Sequence, residues 1–189
     1  MAKIKCDWAK ENELLEKYHD SEWGTPVHDD QILFEFLILQ IFQAGLNWSL
    51  ILKKRENFRT AFDNFNYKKI AKYSEKKVEE LMENKGIIRN ELKIRSSITD
   101  AKIFMEIQDE FGSFDTYIWD FVSGFPIHNG WEEVSQIPST TDLSDKISKD
   151  LKERGMKFIG STIIYSYLQS VGIINDHLKN CFRYKELTD

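Results

Sequence analysis

The sequence predicts an all-α protein, on three observations. Three Pro and nine Gly in 189 residues are too few punctuators for a many-turned β-sandwich. No stretch alternates apolar and polar residues long enough to demand a sheet. Asp, Ser and Thr stand where apolar stretches begin, as helix caps do. Asp29 or Asp30 can cap a helix to about Ala44, closed by Gly45, and residues 46–62 read as a second helix. Short helices fit 68–72 and 74–83, the latter capped by Ser74. Residues 90–110 form a long helix, apolar at Leu92, Ile94, Ile98, Ala101, Phe104, Met105 and Ile107 and stopped near Gly112. Residues 113–122 give another, ending before Gly124 and Pro126, and 124–140 is the longest non-helical stretch. Thr141 or Asp142 can cap a helix to about Arg154, ended by Gly155. A further helix runs from about Gly160 to Ser170, stopped by Gly172, and Asn175 can cap a last short one.

Composition bounds the function. The length suits one domain, 1–189, of two closely packed helical lobes. At 41% hydrophobic and 30% charged, the chain can build a core. Cys6 and Cys181, at opposite ends, cannot make a disulfide scaffold. No run approaches the roughly 20 apolar residues of a membrane span, and MAKIKCDWAK lacks the apolar core of a secretory signal. The expectation is a cytoplasmic monomer with no membrane partner. The net charge of −5 argues mildly against a polyanionic partner.

Three local patterns carry chemistry. His177 and Cys181, four apart, lie on one face of a helical turn, and with Cys6 and His19 they give a Cys2His2 set suited to a closed tetrahedral zinc site. The competing reading is two buried free thiols with surface histidines. Second, residues 151–162 read as helix, Gly-bounded turn and helix, with Gly155 and Gly160 flanking Met156, Lys157, Phe158 and Ile159. The second helix, opening at Ser161, presents free N–H groups that attract an anion. Residues 145–157 hold five basic and three acidic side chains, so the patch is net +2. An ordinary helix corner is the plainer alternative. Third, Tyr18, Trp23 and Trp48 are rings near Gln40, which shares a face with Leu33, Phe36, Leu37 and Ala44. A buried amide needs partners. Either Gln40 bonds to nearby backbone inside a core cluster, or it reads a ligand beside rings that stack a nucleobase.

Together these residues resemble the 3-methyladenine DNA glycosylase I family. The matching strings are Tyr18-His19-Asp20 with Glu22-Trp23-Gly24; Gln43-Ala44-Gly45-Leu46 with Trp48; Leu52-Lys53-Lys54-Arg55-Glu56; Gly86-Ile87-Ile88-Arg89; Lys157-Phe158 with Gly160; and Asn175-Asp176-His177. The resemblance covers nearly the whole chain. It implies a helix–hairpin–helix DNA glycosylase fold with one structural zinc on Cys6, His19, His177 and Cys181 tying the N- and C-termini. It implies that Gly155, Lys157, Phe158, Gly160 and Ser161 grip the backbone of double-stranded DNA containing alkylated adenine. The implied reaction is hydrolysis of the N-glycosidic bond of 3-methyladenine, a cationic base that leaves readily, by a monofunctional enzyme without lyase activity. Trp48 and Tyr18 would line the base pocket, with Trp8 and Trp23 nearby and Tyr18 also in a catalytic position.

One departure stands out. Gln40 occupies the position of the family's base-reading Glu. An amide oxygen accepts a hydrogen bond but brings no charge, and charge-assisted bonds are roughly twice as strong. The expectation is weaker discrimination for the cation or slower excision, with a non-catalytic binder of alkylated DNA or free base as the alternative function. Asn47 and Met156 are smaller departures, where the family usually has Ser and Phe. Asp176 reads as structural, a helix cap or a support for its metal-ligand neighbour. Lys152, Arg154 and Lys157, with Lys53, Lys54, Arg55 and Arg89 as further candidates for one face, reconcile the acidic total with a local grip on phosphate.

Overall fold

The computed structural model describes residues 3–189. Its helices are α1 (Glu13–Ser21), α2 (Asp30–Gln43), α3 (Trp48–Ala61), α4 (Tyr67–Ile70), α5 (Glu75–Glu83), α6 (Glu91–Phe111), α7 (Phe114–Asp120), α8 (Asp142–Glu153), α9 (Ser161–Ser170) and α10 (Phe182–Thr188). Most begin at a side-chain cap: Asn12, Asp29, Asn47, Asn66, Ser74, Asn90, Ser113 and Thr141 each accept a hydrogen bond from a backbone N–H in the first turn. The exceptions are α9, which opens at Gly160, and α10, which opens at Cys181. Both belong to segments singled out above.

Helix α2 organises the core. Every residue from Leu33 to Phe42 is buried, so the helix has no solvent face along that stretch and Gln40 is enclosed whichever way it points. It packs against α3, α6, α7 and α9. Two charges go down with it. Glu35 is held by Arg55 at 2.6 Å and Arg59 at 2.8 Å. At the C-terminal end the buried Lys93 ammonium donates to the carbonyls of Phe42 (3.2 Å) and Ala44 (2.7 Å), a cation on the negative end of the helix dipole. This clamp fixes the α2–α3 corner, where Trp48 begins the next helix.

Three sequence expectations need correction. The fold is mostly helical, but Ile127–His128 (β1) pairs in parallel with Ile174–Asn175 (β2). His177 and Cys181 are not on a helix. They sit in the turn between β2 and α10, closed by the Cys181 N–H on the Leu178 carbonyl at 2.7 Å. Asn175 caps no helix: it lies in β2, and its side-chain oxygen accepts the His177 N–H at 3.1 Å. Gly172 is required where the chain leaves α9. It has φ +72°, and a Cβ there would lie 2.2 Å from the Thr25 carbonyl carbon. Close backbone approach lets Gly24 and Val27 donate to the Gln169 and Val171 carbonyls. No described helix is long and apolar enough to cross a membrane.

Candidate active site and adjoining metal centre

A cavity of about 500 Å³ opens between α1, the α2–α3 corner and α9. Trp8, Tyr18, Trp23 and Trp48 wall it and Gln40 lies in it, so the ring residues expected from the sequence converge with the expected amide. The Tyr18 and Trp48 ring centres are 5.3 Å apart, and Trp8 meets Trp23 edge-on at 5.0 Å. Sequence reasoning missed Ser170, Ser166 and Gln169 from α9 and Glu11, Asn12 and Ser49 at the rim.

Ser170 sets the polarity of the site. Its hydroxyl donates its one hydrogen to the Ser166 carbonyl at 2.8 Å. It therefore accepts from Tyr18 Oη at 2.9 Å and Gln40 Nε2 at 2.7 Å. This assignment turns the Gln40 amide so that Oε1 faces away from Ser170. Oε1 is buried and has no hydrogen-bond partner, and neither does Trp48 Nε1. One acceptor and one donor thus stand unpaired among the lining residues, and unpaired buried polar groups are rare and costly unless a ligand completes them. Burial pushes the Tyr18 phenol well above its ordinary pKa, so Tyr18 is a neutral hydrogen-bonding wall and not a ready base.

Cys6, His19, His177 and Cys181 form one buried cluster, with donor atoms within 4.8 Å of one another. His19 Nε2 to His177 Nδ1 is 3.2 Å, and Cys181 Sγ lies 3.4 Å from His19 Nε2 and 3.7 Å from His177 Nδ1. A zinc tetrahedron with Zn–N of about 2.0 Å and Zn–S of about 2.3 Å has edges of roughly 3.3–3.8 Å, so the donor set fits such an ion. The outer nitrogens are already committed, His19 Nδ1 to Asp20 at 2.8 Å and His177 Nε2 to the Trp23 carbonyl at 2.9 Å. That leaves the inner nitrogens as lone-pair donors, the second-shell pattern of metal-bound imidazoles. A hydrogen bond from the Cys6 thiol pulls Cys181 far below the ordinary thiol pKa, while the same thiol pair and burial push Cys6 up. The cluster supports the pocket wall: Trp8 packs edge-on against His19 at 5.2 Å, and Trp23 against His177 at 4.6 Å.

Asp176 is buried and accepts from Asn129, Trp131 and Gln169 at 2.7 Å each and from the Tyr165 hydroxyl. Four donors occupy it, joining the 129–131 loop to α9. In the hairpin, Gly155 has φ +105°, and Phe158 has φ +55° and is 40% exposed. A Cβ at Gly160 would meet nothing within 4 Å, so internal packing does not demand glycine there. Ser161 bonds Ser144 at 2.7 Å, and the Lys157 N–H donates to Asp100 at 2.8 Å. Three candidate cations are not free for phosphate. Arg154 is held by Glu110 (2.6 Å) and Asp150 (2.8 Å), Arg55 by Glu22 (2.6 Å) and Glu35, and Lys54 donates to the Lys85 and Gly86 carbonyls.

Fold and site together define a helical protein with an aromatic pocket, open at one side, whose lining presents one unpaired acceptor and one unpaired donor. The sequence profile of the methyladenine glycosylase family matches residues 8–184, and the chain belongs to that family. It is 41% identical over 180 residues to the DNA-3-methyladenine glycosylase 1 of Escherichia coli (strain K12), covering 95% of this chain and 96% of that one. A crystal structure of 3-methyladenine DNA glycosylase I superposes with TM-score 0.91 at 42% identity, over 95% of this chain and 98% of the other. The Staphylococcus aureus enzyme, solved for the structural basis of 3-methyladenine recognition, gives 0.92 at 32% identity, over 96% and 97%.

Proposed function

We propose that this protein is a monofunctional DNA glycosylase that hydrolyses the N-glycosidic bond of 3-methyladenine in double-stranded DNA, releases the free base and cleaves no strand. The observation that carries the reading is the pair of unpaired buried atoms, Gln40 Oε1 and Trp48 Nε1, among the residues lining an aromatic cavity. An adenine edge offers an amine for the first and ring nitrogens for the second. Reaching such a cavity requires the nucleotide to leave the stack, which costs a few kcal/mol and less for a damaged base. The Tyr18 and Trp48 rings stack on the cationic base, each worth about 0.5–2 kcal/mol, with Trp8 and Trp23 behind them. Gln40 accepts from the base, and Tyr18 acts through Ser170 to hold that acceptor in place. Because the methylated base is already a good leaving group, flipping, recognition and placement of water suffice.

The hairpin of Gly155, Lys157, Phe158, Gly160 and Ser161 serves as the DNA grip of a helix–hairpin–helix fold. The open space at Gly160 supports this, since a strand can approach the backbone there. Cys6, His19, His177 and Cys181 would hold one zinc, which when bound supplies a structural tie between the chain ends. We read the protein as a cytoplasmic monomer of one domain, and Asp176 as a structural anchor. The test is incubation with methylated duplex DNA and chromatography of released bases. Release of 3-methyladenine with an intact strand supports the reading. Binding without release, or neither, refutes it.

A further inference from the structure

We propose that Glu11 is the carboxylate that stabilises the transition state of this reaction, an inference that rests on the glycosylase reading above. The cavity has a closed side and an open one. At the closed side Gln40 is 3% exposed and neutral. Glu11 is exposed, and among the described residues it is the one ionisable acid lining the cavity. Its carboxylate is in no hydrogen bond or ion pair among the described residues, while its backbone is fixed. The Glu11 N–H donates to the carbonyl of Trp8, a pocket wall. The adjacent Asn12 caps α1 through the Leu15 N–H and donates to Ser49 Oγ of α3 at 3.0 Å. The free carboxylate is thus carried on a tethered rim.

The base enters ring first, so its sugar stays at the open side. When the bond between the anomeric carbon and the base nitrogen breaks, its electron pair goes to the base. The positive charge on the methylated base is thereby neutralised and reappears on the sugar as an oxocarbenium ion. Solvent water then adds to the anomeric carbon and releases a proton to solvent. Charge therefore moves from the closed side toward the rim. A carboxylate at the rim favours the place where the charge arrives. Glu11 at the rim suits that displacement, because stabilisation specific to the transition state is what raises the rate. The same carboxylate repels DNA phosphates, so its effects on chemistry and on binding are opposite in sign.

The test is single-turnover release of 3-methyladenine from methylated duplex DNA, with affinity for undamaged duplex measured in parallel. One charge at a wet rim supports a three- to tenfold effect, on the order of one unit charge acting through a largely aqueous dielectric. Glu11→Gln is expected to slow release by about that factor while leaving undamaged-duplex affinity equal or tighter, and Glu11→Asp to retain most of the rate. An active wild type with Glu11→Gln within about twofold of it, or Glu11→Asp as slow as Glu11→Gln, overturns this inference alone. A wild type that releases no base overturns the glycosylase reading, and this one with it.

Discussion

Replacing Asp100 with Asn isolates one buried charge beneath the hairpin. Asp100 is fully buried in α6, Oδ1 accepts the Lys157 N–H, and Oδ2 has no partner. Burial raises its pKa from 3.8 to about 7, opposed by the hydrogen bond from Lys157. Below pH 3.8 the group is protonated in both folded and unfolded chains and has no pH effect. Between that value and about 7 the unfolded chain releases the proton while the folded one keeps it, so stability falls as pH rises. At about 1.4 kcal/mol per unit, the loss approaches about 4 kcal/mol once the pH exceeds 7, of which about 3 kcal/mol falls between pH 5 and 9. Asn keeps an oxygen for the Lys157 N–H and cannot ionise. Its unpaired amide costs about 1–3 kcal/mol, but equally at every pH. Urea unfolding of both proteins at pH 5, 7 and 9 should therefore show the variant gaining about 3 kcal/mol relative to wild type across the range, or about 6–12 °C in Tm for a chain of this size. Parallel pH curves for the two proteins would refute the assignment.

Gln40→Glu should speed 3-methyladenine release by about tenfold, the gain from a neutral to a charge-assisted hydrogen bond, and unchanged or slower release would contradict it. Elemental analysis should find about one zinc per chain. Cys181→Ser or strong chelation should remove it along with stability on the order of 10 kcal/mol, enough to unfold a typical domain, whereas a metal-free protein with an unaltered melt would exclude the site. Gly172→Ala must move a Cβ away from the Thr25 and Pro26 backbone and should cost on the order of 3–5 kcal/mol, read as a drop of about 10 °C in Tm, and an unchanged melt would be inconsistent with that approach.

Most helices were legible because their caps are local signals: Asp29, Ser74 and Thr141 stand where expected. Helix α1 was not anticipated. It is short, and only Leu15, Tyr18 and His19 are buried in it, although Asn12 ahead of Leu15 and Tyr18 was an available signal. The β1–β2 pair is two residues long on each side, below any periodicity. His177 and Cys181 converge as the sequence predicts, but through a turn, because spacing of four fits either geometry. The aromatic wall and Gln40 were legible through motif resemblance, while Ser170 was not, since a lone serine at a helix end carries no signal until Tyr18 and Gln40 are seen to share it. Arg154 shows the limit of counting charges: its guanidinium binds Glu110 and Asp150 and lies over the rings of Phe111 and Tyr117.

The most direct test of the account follows free 3-methyladenine over time from methylated duplex DNA treated with wild-type protein and with Gln40→Ala. The account predicts release by the wild type with the strand intact, and release slowed by at least about tenfold when the unpaired acceptor is removed, the equivalent of one lost hydrogen bond in a dry site. No release by the wild type, or undiminished release by Gln40→Ala, would contradict it.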